Sequence, residues 1–287
     1  MGNEVMRKLT FTNSRGDHIS IGHSSPFHMS NIEGLGAVET DTQMQKAPFQ
    51  DGMTYTDSSL SYREIFVEGA IKEMNKKRIM DKRRLLHQVL NTKLKEGVIL
   101  YEQDGVAKEI HAVVEGGVIF PDKKQDAYQR FFITFNCASP YWMDLETKSE
   151  PLEAWVGKYS FPFQFPVEMG IQGDTTNIMN DGDVKCPIEI EIKGYTKNPF
   201  VQNKTTGEFI KVNREVALGE TLVISTTFGN KRVEIVRSDG KKENAFHWID
   251  LNSKFFHFIT GENQISYSSD EGRSVVMVSW RNLYVGV

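Results

Sequence analysis

Between Thr221 and Val287 the chain alternates apolar and polar side chains in short runs, and each run stops at a turn signal. Leu222, Ile224 and Thr226 alternate with Val223, Ser225 and Thr227; after Gly229-Asn230, Val233 and Ile235 alternate with Arg232 and Glu234, and Asp239-Gly240 turns the chain again. Phe256 and Phe258 precede a Gly261-Glu262-Asn263 turn, Ile265 and Tyr267 follow it, and Asp270 to Arg273 leads into Val276, Val278 and Trp280. A period of two places successive side chains on opposite faces of a strand, so this spacing specifies short antiparallel strands in a β-sandwich or small barrel. Ile188, Ile190 and Ile192 set against Glu189, Glu191 and Lys193 show the same pattern most cleanly, one face for a core and one for water.

The first half is built differently. Leu9 with Phe11 and Ile19 with Ile21 read as short strands around a Gly16-Asp17 turn, and residues 40–60 are polar with Asp51-Gly52 near their middle, a protruding hairpin or a long loop. Such an arm has little core to fold against, so the letters fit either an arm held by a neighbour or a disordered loop. Tyr62 to Ile71 is a strand candidate. Between Glu73 and Lys93 the period changes: Ile79, Leu86 and Leu90, with Leu85 and Val89 beside them, mark one stripe of a helix whose other side is strongly charged. Strands resume at Val98–Leu100, Ile110–Val114, Val118–Phe120 and Tyr128–Phe135. The acidic, proline-containing stretch Asp144 to Pro151 reads as a linker, and with 287 residues against a usual domain of about 100–150 it sets a boundary between residues 1–145 and 146–287. Phe161, Phe163 and Phe165 then form a strand that Pro162 and Pro166 confine to a sheet edge, and Phe209 to Val212 return from a Thr206-Gly207 turn.

The reactive residues do not assemble into chemistry. His18, His23 and His28 recur at a spacing that suits neither a helical zinc pair nor a strand pair, and the Asn177 to Ile188 loop, aligned on Gly182, puts Met179 and Ile188 where calcium ligands belong. No nucleophile elbow, cysteine–histidine motif or phosphate loop is present, so neither an enzyme nor a cofactor or metal site is indicated. Cys137 and Cys186 cannot make a disulfide framework and read as buried thiols of an intracellular protein. A net charge of −4 gives no field for nucleic acid; the one basic cluster, Lys76, Lys77, Arg78, Lys82, Arg83 and Arg84, reads as a solvated or subunit-facing helix surface. Nothing resembles a membrane span or secretion signal. Trp248, Tyr267 and Trp280 are possible sugar platforms, but the last two share parity with core residues, which leaves Trp248 as the candidate saccharide contact.

The order of pieces carries a resemblance. NDGDVKCPIEIEIKGYTKNPFVQNKTTGEFIKV, LGETLVISTTFGNKRVEIVRSDGKKENAFHWID, FFHFITGENQISYSS and the closing WRNLYVGV resemble the second domain of the siphovirus-type distal tail protein (Dit) family, and GLGAVETDTQMQKAPFQDGMTYTDSSLSYREIFVEGAI, the charged helix and FFITFNCASPYW are similar to its first. The resemblance implies a mainly β fold with one helix, in two domains: an N-terminal β-sandwich with an α-helix and an extended arm, and a C-terminal galectin-like β-sandwich. It implies a non-enzymatic virion protein, from a phage or prophage, made in the bacterial cytoplasm. Its hexameric ring would close the tail tube and anchor the tail-tip fibre or lysin protein and receptor-binding parts. The arm and the charged helix are the candidate ring surfaces, with Phe49, Tyr55, Arg78 and Arg83 as candidate subunit contacts. No insertion long enough for an added carbohydrate-binding module is present. The alternative is a lectin-like adhesion protein, which would bind sugar through Trp248.

Overall fold

The computed structural model describes residues 7–24, 26–36, 38–121, 128–152, 175–272 and 274–287. The chain divides into two compact units, Met1–Leu145 with Tyr284–Val287, and Glu146–Leu283.

The first unit contains β1 (Arg7–Thr12), β2 (His18–Ile21), β3 (Phe27–Glu33), β4 (Thr40–Gln45), β5 (Thr54–Leu60), β6 (Arg63–Lys72), α1 (Lys76–Val89), β7 (Gly97–Gln103), β8 (Val106–Ile119), β9 (Tyr128–Cys137) and β10 (Trp142–Met143). Its main sheet runs β2-β1-β7-β8-β9-β6-β3, antiparallel at every step. The two ends of that path meet: Gly22 donates its N–H to Phe27 O at 3.0 Å and accepts from Met29 N at 2.8 Å, so the sheet curls round one core. The segments expected as two strands around residues 110–120 are one long β8. Its first half pairs with β7 and its second with β9, and the register shifts where Gly116 and Gly117 take positive φ. Those φ values suit glycine, which lets the strand bend between its two partners without a side-chain clash.

Inside this curl lie Leu9, Phe11, Ile21, Ile65, Val67, Ile99, Ile110, Phe131, Ile133 and Phe135, with the Phe11 and Phe135 rings 5.1 Å apart. Helix α1 covers part of the same core through Ile79, Leu86 and Val89. It is shorter than the stretch expected from its periodicity, because Asn75 caps it: Asn75 Oδ1 accepts from Arg78 N at 2.9 Å. Strands β4 and β5 pair only with each other and form the arm as a hairpin.

The second unit contains β11 (Lys148–Leu152), β12 (Thr175–Asn180), β13 (Ile188–Lys193), β14 (Thr196–Lys197), β15 (Phe200–Asn203), β16 (Glu208–Lys211), β17 (Glu215–Val216), β18 (Thr221–Ser225), β19 (Arg232–Val236), β20 (Lys242–Asn244), β21 (Gly261–Ser268), β22 (Glu271–Gly272) and β23 (Val275–Trp280). A six-stranded sheet ordered β11-β23-β13-β18-β19-β20 and a four-stranded sheet ordered β12-β21-β15-β16 share one hydrophobic core, the arrangement of a sandwich. Ile190 lies opposite Ile224 on one side and Val278 on the other, while Val201, Ile210, Ile265 and Tyr267 face in from the second sheet.

Three local expectations change. The presumed linker contains β11, an edge strand with Pro151 opposite Met277; an edge position tolerates a residue with no N–H to donate. Gly261-Glu262-Asn263 opens β21 rather than turning the chain, and the turn before it is held by Asn263, whose side chain accepts from Ile259 N and donates to Ile259 O. Phe258 makes an isolated bridge to Cys186 instead of belonging to a strand. The expected strand at Phe161, Phe163 and Phe165 lies outside the described residues.

Candidate assembly surfaces

The arm buries nothing: every residue of β4 is exposed, and so is every residue of β5 except the half-buried Leu60 at its base. A two-stranded hairpin without a core is marginal in water, so its order depends on what it meets. Cross-strand partners share a face, and that divides the arm in two. Asp41 pairs with Ser59 and Gln43 with Asp57, which makes one face acidic. Thr42 pairs with Ser58, Met44 with Tyr55 and Thr40 with Leu60, which makes the other largely apolar or hydroxylated, and Tyr55 donates its hydroxyl hydrogen to Ser58 Oγ at 2.8 Å along that face. A register shift after Gln43 keeps the two faces separate. At the tip Phe49 stands fully in solvent at positive φ (63°), with Met53 exposed nearby.

Helix α1 presents the second surface. Arg78 is exposed and makes only a long ion pair with Glu73, at 3.9 Å. Arg83 is partly covered: its guanidinium lies 4.4 Å from the Phe120 ring centroid, on the flank where His87 also packs edge-on against Phe120. The two arginines therefore stand on different flanks of the helix. Met80 and Leu85 are exposed between the charges.

Trp248 sits in a short 3-10 turn (Phe246–Trp248), packed against the core of the second unit. Arg214 lies over its ring at 3.7 Å and the tilted His247 ring is 3.9 Å away. Tyr267 and Trp280 are buried, as their parity predicts.

Of the three histidines, His28 is held below its ordinary pKa by burial first and then by Lys72 and His23. Among the described residues no group of three or more His, Cys, Asp or Glu is placed to hold a metal ion, and no helix is long and apolar enough to cross a membrane. Cys137 and Cys186 are both free and buried.

The sequence reading missed Arg63. It is 1% exposed, yet among the described residues it has no carboxylate partner. Nε donates to Pro140 O at 2.7 Å, Nη1 to Gly34 O at 2.5 Å and Nη2 to Val285 O, so one guanidinium gathers three loops that are remote in sequence. Trp142 lies beside it, the guanidinium carbon 5.8 Å from the ring centroid, and donates Nε1–H to Leu35 O at 3.1 Å. Gly34 has φ of 86° and its Cα faces the Glu64 carbonyl, so no other residue fits there. The division after Leu145 coincides with the expected boundary, and residues 284–287 group with the first unit, where Tyr284 donates to Asp144 at 3.3 Å and stacks under Lys108.

Two family models match, the phage tail protein RIFT-related domain over residues 14–137 and the siphovirus-type tail component, C-terminal domain, over residues 181–284. Among solved structures, the Dit protein (gp 19.1) of phage SPP1, described as a paradigm of the hub adsorption apparatus of phages infecting Gram-positive hosts, superposes with a TM-score of 0.68 at 12% identity, covering 96% of this chain and 98% of that one. A chain of the phage P2 baseplate in its activated conformation with Ca superposes with a TM-score of 0.57 at 11% identity, covering 97% of this chain and 98% of that one. At such identities the likeness is one of fold. No curated protein sequence matches.

Proposed function

Because the chain belongs to the siphovirus-type distal tail protein family and is a structural component of the phage tail rather than an enzyme, we propose that six copies close into a ring at the distal end of the tail. The ring is the hub that links the tail tube to the tail-tip protein and the receptor-binding proteins. The observation that carries this reading is the arm, an ordered hairpin with no core of its own and with exposed Met44, Phe49, Met53 and Tyr55. Its stability has to come from a neighbour. A closed ring uses two different complementary patches on each subunit; the arm, through Phe49 and Tyr55, supplies one, and α1, through Arg78 and Arg83, supplies the other.

A hub needs stiffness as well as surfaces. The curled sheet of the first unit and the sandwich of the second each have a continuous core. Light scattering on the full chain tests the proposal: six copies of 32.7 kDa give about 196 kDa, and a strict monomer at micromolar concentration would overturn it.

A further inference from the structure

The arm and the helix of the first unit carry opposite charge, and among the described residues most of that charge has no partner of the opposite sign. Between Thr40 and Leu60 the arm holds Asp41, Asp51 and Asp57 against the single Lys46. Among the described residues none of these carboxylates has a cationic partner; Asp57 accepts only the N–H of Ser58, at 2.8 Å. On α1, Lys76, Lys77, Lys82 and Arg84 likewise have no carboxylate partner among the described residues, and Arg78 has only the long contact to Glu73. The only acid within the helix is Asp81.

Geometry gathers each charge set on a usable face. Asp41 and Asp57 share the acidic face of the arm with Gln43 and Ser59. Lys77 and Arg84 lie two turns apart on the side of α1 opposite Ile79 and Leu86, with Asp81 between them, Met80 at one margin, and Arg78 on the flank beside Leu85. In a chain of net charge −4 this helix is a cationic exception, and the arm is acidic. Two unlike, complementary faces on one subunit are what a head-to-tail contact between identical copies requires.

We propose that the acidic face of one copy's arm docks across the outward face of the next copy's α1, with Asp41 and Asp57 meeting Lys77 and Arg84. The inference rests on the ring reading above and goes further, since it fixes which face of the arm meets which face of the neighbour. The apolar face, with Met44 and Tyr55, then makes its ring contact away from α1.

Charge reversal tests this in the full chain. Asp41→Lys with Asp57→Lys, and separately Lys77→Glu with Arg84→Glu, alter exposed side chains that bear no core contact, so circular dichroism should match the parent. Each double variant should raise the midpoint concentration for assembly at least tenfold, roughly the sum of two or more exposed ion pairs turned repulsive. Combining all four changes should return it to within about threefold of the parent, because the charges match again. The neutral pair Asp41→Asn with Asp57→Asn should fall between, and salt should weaken the parent ring more than the neutral one. If the parent forms a ring that none of the reversals weakens, or if the combination is no better than either pair, the docking is wrong while the ring stands. If the parent itself is a monomer, the ring reading and this inference fall together.

Discussion

At Arg63 a charge is buried with no counter-ion among the described residues, and three carbonyls take its place. Burial lowers the pKa of the guanidinium from its ordinary value, but an arginine stays protonated through the useful pH range, so the hydrogen bonds carry the burden. Arg63→Met keeps most of the volume and leaves those carbonyls short of a donor; a cost of about 3 kcal/mol or more is expected, read as a lower urea midpoint at unchanged m-value. The sequence held half of this signal: Arg63 has the parity of Ile65 and Val67, the buried face of β6. The other half was out of reach, because its acceptors at residues 34, 140 and 285 come together only in the fold. The cysteines make a second prediction. Burial pushes both thiols up to about 12 from an ordinary value of 9.0. A raised pKa in the folded state means that the unfolded chain loses its thiol protons first, so stability is intact below pH 9 and falls as pH climbs from 9 toward 12. Serine at both positions should flatten that alkaline loss, and at pH 8 neither native thiol should react with a disulfide reagent until denaturant is added.

At the scale of elements, the arm and the helix separate stability from assembly. Replacing residues 41–59 by a short Gly-Ser turn removes no buried side chain; thermal unfolding should move by no more than about 2 °C while assembly is lost. Asn75→Ala does the reverse: it removes the cap of α1 and should cost about 1 kcal/mol in chemical denaturation. Strands with a buried face were legible because alternation is dictated by the core, as at Ile188–Lys193. The arm was legible only as a polar excursion, since nothing in the protomer imposes a face on it and its pairing is backbone-driven. The Asp144–Pro151 stretch was misread for a related reason: β11 is a short edge strand whose composition resembles a linker, and only its pairing with β23 reveals it. Trp248 was picked for being aromatic, without a way to foresee that Arg214 would cover its ring.

At the scale of the whole molecule, the resemblance in the order of strands, turns and helix is matched by two family models and by the fold of phage SPP1 Dit. The first unit is discontinuous, completed by residues 284–287 after the whole second unit has been made. In the proposed ring the burden falls on that first unit, whose arm and helix are exposed. Single-particle imaging of the purified full chain tests this account most directly. Class averages with sixfold rotational symmetry are predicted; particles that are single subunits, or that close with any other symmetry, would contradict it.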